Sequence, residues 1–503
     1  MSESLDNSAR KVGRKTRAGI SWNFFGAIAT NLMRVVVLAV LGRTLNSTDF
    51  GIVAAAISVN VILYGIRDIG IGMAIVQRKT LEPSHITTAF ALSMYLGLAM
   101  SALLWVTAPL IGDLYQIPAS IDVLRVLGLL FALRGVSTVS RMMAQREMNF
   151  RVIAIIDAVA FVIGSVVSMV LAGAGAGPWA LVVGYLVEEV LSTTLYLYTT
   201  PVPFSLRLEG ARLRELLAFG TKQTFGQVIG TLANNADNFV IGNALGATAL
   251  GFYTRAYDLV KFPSTVFTSV VGSVLFPAFA RFQDDRERLA ANFRRVLFVN
   301  ALVLLPASAA LAILAPEVIE ILMGRGWSDA VVPFQVLAIT MLLRTSQRLG
   351  AIVGIATGAV GAVALAYTAY LVFVLGGAII TIRWGIIGVA ASTALALLVC
   401  NLGCSWIGMR VSGLRLSTFA FAHVPGLVLA VVATAVAWPL ASVLRGVLPT
   451  PIVFGIVALA SVLASLVVVA MWVKLGRGDF AWLGDELKRV RRRSAQRDAS
   501  KRS

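Results

Sequence analysis

Basic side chains stand inside long apolar stretches of this sequence, where a charge at the centre of a bilayer costs about 3 kcal/mol on insertion scales. They are Arg34, Arg67, Arg125, Arg134, Lys222, Arg255, Lys261, Arg344 and Arg348. Residues of this kind face a polar cavity or a partner of opposite charge. A guanidinium is a fixed fork of N–H donors that matches phosphate oxygens. The chemistry that these residues suit is therefore the binding of an anion.

Two spacings concentrate this charge. Arg255, Asp258 and Lys261 follow at three-residue steps, so they share about one third of a helix surface and one carboxylate serves two cations. Arg344 and Arg348 are four residues apart and share a helix face. We predict that an anionic ligand contacts Arg34, Arg67, Arg255, Lys261, Arg344 and Arg348. The alternative is that these cations pair with acids only to tie helices together. Arg125 and Lys222 lie near the ends of their stretches and can reach the membrane surface.

Acidic side chains inside the apolar stretches are fewer, and some are candidates for coupling to an ion gradient. Asp237 lies among Asn234, Asn235 and Asn238, and a carboxylate among amides can hold a proton or Na⁺. The alternative for Asp237 is a satisfied hydrogen-bonding cluster between helices. The candidate ion-coupling residues are Asp237, Asp258 and Glu188, the last of which precedes Glu189.

The elements that position these residues are membrane helices. The 503-residue chain is 58% hydrophobic and 14% charged, with a mean hydropathy of +0.84, which is too much apolar surface for a water-soluble domain. Apolar runs of about 20 residues predict an all-α polytopic membrane protein with about fourteen transmembrane helices. The predicted spans are 20–42, 52–76, 86–111, 121–142, 152–173, 178–199, 216–243, 254–280, 296–315, 331–355, 358–382, 384–409, 418–443 and 452–473.

The net charge of +18 is spread over short loops and tails, which indicates membrane topology rather than nucleic-acid binding. An even number of helices places both termini on one side, and the Lys/Arg bias of the loops makes that side the cytoplasm of an inner-membrane protein. We predict a basic tail, a lobe of helices one to six, a lobe of helices seven to twelve, a final helix pair and a second basic tail. Their ranges are 1–19, 20–209, 210–409, 410–473 and 474–503.

The two lobes are indicated by an internal repeat. The matched residues are Gly26, Asn31, Leu41 and Gly42 in one copy and Gly230, Asn235, Leu245 and Gly246 in the other. Six spans separate the copies, so both insert in the same orientation. We therefore predict two pseudo-symmetric six-helix bundles with a cavity between them.

The basic C-terminal tail carries Phe480, Leu483, Leu487 and Val490 at helical spacing. This pattern predicts an amphipathic segment lying on anionic lipid, and a solvated, disordered tail is the alternative. The sequence contains no P-loop, no HExxH motif and no nucleophile elbow. We therefore expect no cofactor, no catalytic metal and no enzymatic activity.

Several motifs occur in a recognisable order in residues 41–53, 68–79, 145–151, 237–242, 250–257 and 275–284. In these motifs the chain resembles the Wzx-type polysaccharide and O-antigen flippases, especially the colanic-acid-exporter-like branch, over roughly residues 15–345. The resemblance implies the fold of the multidrug/oligosaccharidyl-lipid/polysaccharide exporter superfamily. It also implies alternating access between inward and outward openings.

The resemblance further implies a substrate, an undecaprenyl-diphosphate-linked oligosaccharide, flipped to the periplasmic leaflet for lipopolysaccharide, capsule or exopolysaccharide synthesis. Its partners would be membrane lipid, a polysaccharide polymerase and glycosyltransferases. Related lipid II flippases bind pyrophosphate with arginines of helices one, two and eight. The residues that fit here are Arg34, Arg67 and Arg255, with Lys261 nearby.

Three other functions remain open. A cation-coupled multidrug exporter of the same fold would favour an acidic cavity, whereas helix one carries Arg34 and no carboxylate. A membrane-embedded glycosyltransferase or polymerase would need paired carboxylates and a sizeable outer loop. A membrane scaffold would recruit synthases through the basic tail 474–503.

Overall fold

The computed structural model is built of α-helices. The residues that it describes are 33–67, 75–76, 78, 80–281, 285–476, 479–482 and 484–485, and they contain no β-strand. The helices are α1 (33–44), α2 (Ser47–Arg67), α3 (Pro83–Leu114), α4 (Ser120–Arg146), α5 (Phe150–Gly173), α6 (Trp179–Thr199), α7 (Gly210–Ala233), α8 (Ala236–Arg281), α9 (Arg286–Ile313), α10 (Ala315–Met323), α11 (Val331–Ala338), α12 (Met341–Ala356), α13 (Val360–Thr381), α14 (Gly385–Ser412), α15 (Leu416–Leu444) and α16 (Thr450–Leu475). Short 3₁₀ turns occupy Arg325–Ala330 and Ile382–Trp384.

Many of these helices are long and apolar enough to cross a membrane. Within the described part of the chain nine stretches pass that test, or ten if the bent pair Arg325–Ala338 and Met341–Ala356 forms one span. The prediction of an all-α polytopic membrane protein is therefore confirmed. The number fourteen stays a prediction, because the first predicted span starts at residue 20, outside the described residues.

The region of predicted helices seven and eight is divided differently from the sequence prediction. The predicted span 216–243 is interrupted by a turn at residues 234–235, and α8 then continues from Ala236 to Arg281. α8 bends where Gly246 adopts φ 79° and ψ −174°. A residue without Cβ takes this conformation at little cost. The apolar residues beyond it stay helical, so the predicted ten-residue connection does not form.

The chain separates into two compact units. The candidate residues Arg34, Arg67, Arg255 and Lys261 lie in the first unit. This unit takes in the described residues up to Phe262, together with Leu322–Pro333 and Ala364–Ala396. Inside it α3 packs along α4, α5 packs along α6, and α4 also contacts α2 and α6. Phe90 of α3 and Val139 of α4 are buried in the same apolar cluster. Because α3 and α4 pack through apolar side chains, the polar side chains of α4 lie on its other side. There α4 contacts α6.

The start of α2 and the start of the α8 segment that follows the Gly246 bend meet within this first unit in a reciprocal contact. A Cβ on Gly51 would lie 1.7 Å from the carbonyl oxygen of Ala247, and one on Gly251 would lie 1.8 Å from that of Ser47. Close approach of two helices requires small residues at the crossing. The hydroxyls of Thr48 and Thr248 are 2.8 Å apart. We call this the helix-start contact. In the internal repeat Gly42 matches Gly246, and the helix-start contact joins Thr48 to Thr248. The segment from the matched glycine to the threonine is therefore four residues longer in the first copy of the repeat.

The second unit comprises Pro263–Ile321, Phe334–Val363 and the described residues from Leu397 onward. In it α9 packs against α15 and α12, and α15 packs against α16. Its core includes Phe293, Phe298 and Phe480. The Phe480 ring lies 5.1 Å from that of Phe298, and Asp479 pairs with Arg294 at 2.8 Å.

The burial of Phe480 corrects the prediction for this one residue of the C-terminal tail, and the rest of the predicted amphipathic segment stays a prediction. Phe480 is 9% exposed, so it packs on the protein and does not lie on lipid. Residues 479–482 and 484–485 are helical, and Phe480 packs on α9. Leu483, Leu487 and Val490 lie outside the described residues.

Candidate functional site

Four predicted site residues of the first unit, two cations and two acids, act electrostatically on one tyrosine, Tyr185. Arg34 on α1 is exposed, and its guanidinium lies 5.3 Å from the ring of Phe161. Arg255 on α8 lies 4.8 Å from the ring of Phe50 on α2. Tyr185 on α6 lies in the electrostatic field of Arg34, Arg255, Glu188 and Asp258. Helices α1 and α8 therefore bring cations from distant parts of the sequence within electrostatic reach of α6.

The three-residue spacing on α8 produces the expected charge cluster. Asp258 accepts from Arg255 at 2.9 Å and lies 3.8 Å from the ammonium of Lys261. Lys261 Nζ also lies 3.9 Å from the centre of the Tyr257 ring. One carboxylate thus serves two cations, and the trio keeps a net positive charge.

Arg67 is placed differently from Arg34, because only 4% of it is exposed. Its Nη2 donates to the Thr138 hydroxyl on α4 at 2.8 Å, and its guanidinium lies 5.8 Å from the Tyr64 ring. A buried guanidinium that is held by a neighbouring helix has little freedom to follow a ligand. Arg67 therefore connects α2 to α4 as well as contributing charge. Its sequence neighbour Asp68 lies outside the described residues.

Two further arginines belong to this charged region and were not among the predicted site residues. Arg134 Nε donates to Glu189 on α6 at 2.7 Å, and Arg141 Nη2 donates to Asp157 on α5 at 2.9 Å. The predicted fourth span ended at residue 142, just past Arg141, whereas α4 continues to Arg146. The spacing of seven residues between Arg134 and Arg141, which places both on one helix face, was the signal that could have identified them.

Arg344 and Arg348 lie on α12 in the second unit and are not alike. Arg344 is 5% exposed, whereas Arg348 is exposed. Around Arg344, α12 buries a polar run in which Ser346 accepts from Asn300 Nδ2 of α9 at 2.8 Å. Their four-residue spacing predicted one shared helix face. Because α12 packs against α9, that face is covered at Arg344 and open at Arg348.

Asp237 is a buried carboxylate with neutral donors. It is 1% exposed, and its Oδ2 accepts from the Tyr253 hydroxyl at 2.6 Å and from the Thr393 hydroxyl at 3.4 Å. Its Oδ1 accepts from the backbone N–H of Asn238 at 2.9 Å. The hydrogen-bonding cluster was one of the two predicted alternatives, and it does form. Its members are distant in sequence.

The neighbours that suggested this cluster in the sequence have other partners. Asn234 Nδ2 donates to the carbonyl of Gly230 at 2.6 Å, and Asn235 Nδ2 donates to that of Thr231 at 2.8 Å. Both amides therefore satisfy the end of α7. The amide-rich sequence marked the right place, but the oxygen-bearing partners of the carboxylate come from α8 and α14.

An aromatic group links Arg255 to the helix-start contact. Trp327 is 3% exposed, and its ring lies 5.5 Å from both Phe50 and Phe252 in edge-on geometry. Its Nε1 donates to the carbonyl of Gly42 at 2.9 Å. Because Phe50 also lies beneath Arg255, one ring contacts both the charged region and the buried indole.

An ion-pair network lies where α3 and α7 begin, just before the predicted seventh span. Glu215 pairs with Arg78 and lies 3.3 Å from both Arg212 Nη1 and His85 Nε2. Arg212 also pairs with Glu82 at 2.6 Å. The hydrogen bonds from Arg78 and then His85 hold the pKa of the Glu215 carboxyl below its usual value. The network joins the start of α3 to the start of α7.

Comparisons with known proteins agree with this architecture. The family described as "Polysaccharide biosynthesis protein" matches residues 40–332. The chain is 28% identical to lipopolysaccharide biosynthesis protein WzxC of Escherichia coli (strain K12), over 66% of this chain and 68% of WzxC. It is 24% identical to teichuronic acid biosynthesis protein TuaB of Bacillus subtilis (strain 168), over 66% of this chain and 69% of TuaB.

Solved structures share its fold. Lipid II flippase MurJ, in an inward closed conformation, has a TM-score of 0.75 at 13% identity and covers 90% of this chain and 99% of MurJ. An inward-facing MATE multidrug resistance transporter of the MOP superfamily has a TM-score of 0.62 at 16% identity, covering 78% of this chain and 98% of that transporter. At these identities the likeness concerns the fold alone. The resemblance seen in the sequence motifs is confirmed.

Proposed function

The chain belongs to the polysaccharide biosynthesis protein family, and we propose that it flips undecaprenyl-diphosphate-linked oligosaccharides from the cytoplasmic to the periplasmic leaflet of the inner membrane. Its relatives make it a multi-pass membrane transporter of polysaccharide biosynthesis. The lipid-linked substrate, the alternating-access cycle and cytoplasmic termini are our proposal. The Lys/Arg bias of the loops supports that orientation.

The convergence of Arg34 and Arg255 carries the proposal. These guanidiniums, with Lys261, outnumber the carboxylates Asp258 and Glu188 by one charge in the same region. A diphosphate carries its charge on oxygens that match guanidinium donors. We therefore assign Arg34, Arg255 and Lys261 to the diphosphate, while the lipid tail remains in the bilayer.

The predicted residues then divide by their surroundings. Arg34, Arg255 and Lys261 contact the diphosphate, and the buried Arg67 fixes α2 against α4 beside it. Arg344 and Arg348 stay candidate anion-binding cations of the second unit, where the buried polar run of α12 includes Arg344. The bound diphosphate stabilises the conformation in which these cations hold it more tightly, because a ligand shifts a conformational equilibrium only through such a difference in affinity.

The energy source in this proposal is an ion gradient, with Asp237 as the coupling residue. Its carboxylate is buried among hydroxyl groups that are able to turn toward a bound cation, including those of Tyr253 and Thr393. A proton or Na⁺ would neutralise a charge that is costly at this depth. Glu188 and Asp258 stand next to the diphosphate cations, so we assign them to charge balance during release.

The test is flipping in proteoliposomes with a short fluorescent oligosaccharide on a polyprenyl diphosphate. We expect Arg34→Ala and Arg255→Ala each to slow flipping at least about tenfold, since each removes a charge-assisted contact of about 1.5–3 kcal/mol. Arg383→Ala is the matched control, because Arg383 stacks on Trp384 at 4.3 Å outside this region. Full rates in both site variants at equal protein levels would refute the assignment.

A multidrug exporter is the second candidate, because the fold is shared with a MATE transporter. Such a function predicts uptake of a cationic dye into the same proteoliposomes. Dye transport that is faster than lipid flipping, and unaffected by Arg34→Ala, would favour it over the flippase.

A further inference from the structure

One face of α4 carries a line of polar residues that the proposed site does not use. Arg134, Thr138 and Arg141 follow at spacings of four and three, so they lie on the same side of the helix. The two guanidiniums are separated by seven residues, or about 10 Å along the helix axis. We call these residues the α4 stripe. Arg141 lies near the α4 end that the loop charges place toward the cytoplasm, and Arg134 lies deeper.

The two ends of the α4 stripe repeat one arrangement of three groups. Arg134 pairs with Glu189 and lies 5.1 Å from the Tyr64 ring. Arg141 pairs with Asp157 and lies 5.7 Å from the Tyr196 ring. Each guanidinium thus has a carboxylate from another helix and an aromatic face.

The guanidiniums of the α4 stripe are paired but not covered. The Arg134 side chain is 41% exposed and that of Arg141 is 48% exposed. Charged groups with this much open surface do not face hydrocarbon, so they border polar space. The contact of Arg134 uses Nε, and the contact of Arg141 uses Nη2. A guanidinium has five N–H donors, so each has donors left to offer a second anion.

The α4 stripe is connected to the proposed diphosphate site. Glu188, next to Glu189 on α6, lies in the electrostatic fields of both Arg34 and Arg134. Thr138, between the two stripe arginines, accepts from Arg67 at 2.8 Å. Polar groups therefore continue from Arg141 through Arg134 toward Arg34.

We propose that the α4 stripe is a loading site, where the anionic head group of the lipid substrate binds before it reaches Arg34 and Arg255. This inference rests on the proposed function. Glu189 and Asp157 act as exchangeable counter-ions: each holds its arginine while the site is empty and gives way to a phosphate of higher charge. The counter-ions keep binding reversible, because without them the head group would remain on the stripe.

The counter-ion role makes a prediction that a structural ion pair would not. Glu189→Gln keeps the size of the side chain but removes the competing charge, so we expect tenfold tighter binding of a polyprenyl diphosphate and slower flipping. Arg134→Ala should weaken binding about tenfold. Arg141→Ala should raise the substrate concentration that gives half-maximal flipping and leave the maximal rate near that of the unaltered protein.

The experiment measures binding of a polyprenyl diphosphate, with the monophosphate as a lower-charge probe, to the purified full-length chain by native mass spectrometry. Flipping is measured on the same preparations. Arg125→Ala is the matched control on the same helix, because Arg125 also has a carboxylate, Asp122 at 3.3 Å, and a ring, Trp105 at 5.1 Å. It lies outside the stripe and should change neither quantity. A melting temperature for each variant verifies that it is folded.

Tighter diphosphate binding by Glu189→Gln, with a smaller gain for the monophosphate, would support the loading site. Binding by Glu189→Gln that is unchanged, or weakened as in Arg134→Ala, would overturn it, since the pair would then only hold α4 to α6. If the unaltered chain flips the lipid and the stripe variants match it, this inference fails and the proposed function stands. If the unaltered chain neither binds nor flips the lipid, the proposed function itself fails.

Discussion

The helix-start contact between α2 and α8 leaves no room for a methyl group at Gly51. A Cβ there would lie 1.7 Å from the carbonyl oxygen of Ala247, whereas carbon–oxygen contacts settle near about 3.3 Å. Gly51→Ala therefore forces the two helices apart by about 1.5 Å. Gly251→Ala meets the carbonyl of Ser47 and should have the same effect.

The cost of this separation follows from what the methyl group meets. Overpacking in a core costs about 1–3 kcal/mol, and the upper end applies because the obstacle is backbone rather than a flexible side chain. About 3 kcal/mol changes an equilibrium constant by more than about 100-fold. Gly51→Ala should therefore shift the protein toward conformations in which α2 and α8 are apart.

Cross-linking measures that shift directly. The hydroxyls of Thr48 and Thr248 are 2.8 Å apart, so Thr48→Cys and Thr248→Cys together should form a disulfide on mild oxidation. We expect Gly51→Ala to slow this reaction by at least tenfold, as followed by mass spectrometry of the linked peptides. The control is Gly376→Ala, since no atom lies within 4 Å of a Cβ there.

An unchanged cross-linking rate together with an unchanged melting temperature in Gly51→Ala would refute the reasoning. It would show that the two helix starts do not pack on one another in the membrane.

Two further predictions concern charged groups elsewhere. The pKa of Glu215 is lowered chiefly by its hydrogen bond from Arg78, so its stabilising effect is present above the usual glutamate pKa of about 4.3 and is lost as the pH falls through the lowered value. Glu215→Gln should remove that part of the acid dependence of the melting temperature, and an unaltered acid profile would contradict it. Asp237→Asn should abolish any response of flipping to an imposed proton or Na⁺ gradient while diphosphate binding persists. Flipping that never responds to a gradient in the unaltered protein would rule out Asp237 as a coupling residue.

The sequence was sufficient to predict the class of fold, because the fold class depends on local pattern. Long apolar runs identified the spans, and the cost of burying charge singled out Arg34 and Arg255. Other features depend on contacts between distant residues. The pairing of Arg134 with Glu189 joins α4 to α6, and Asp237 takes its partner Thr393 from α14.

Two predictions differ from the structure because a local pattern shows neither where a helix ends nor what covers its apolar face. The predicted fourth span ended at residue 142, just past Arg141, although α4 continues to Arg146. Phe480 was predicted to lie on lipid because its spacing shows only that a helix has an apolar face. Whether that face meets lipid or protein depends on α9, which is distant in sequence.

The position of Phe50, beneath the Arg255 guanidinium and against Trp327, has a consequence for thermodynamic linkage. An anion that draws Arg255 from this ring changes the packing of Trp327, and thus the free energy of the closed helix starts. Coupling of this kind is reciprocal. The factor by which a bound anion changes the equilibrium between closed and parted helices therefore equals the factor by which parting them changes the anion affinity. A substitution that parts the helices shifts the anion affinity by at most that factor.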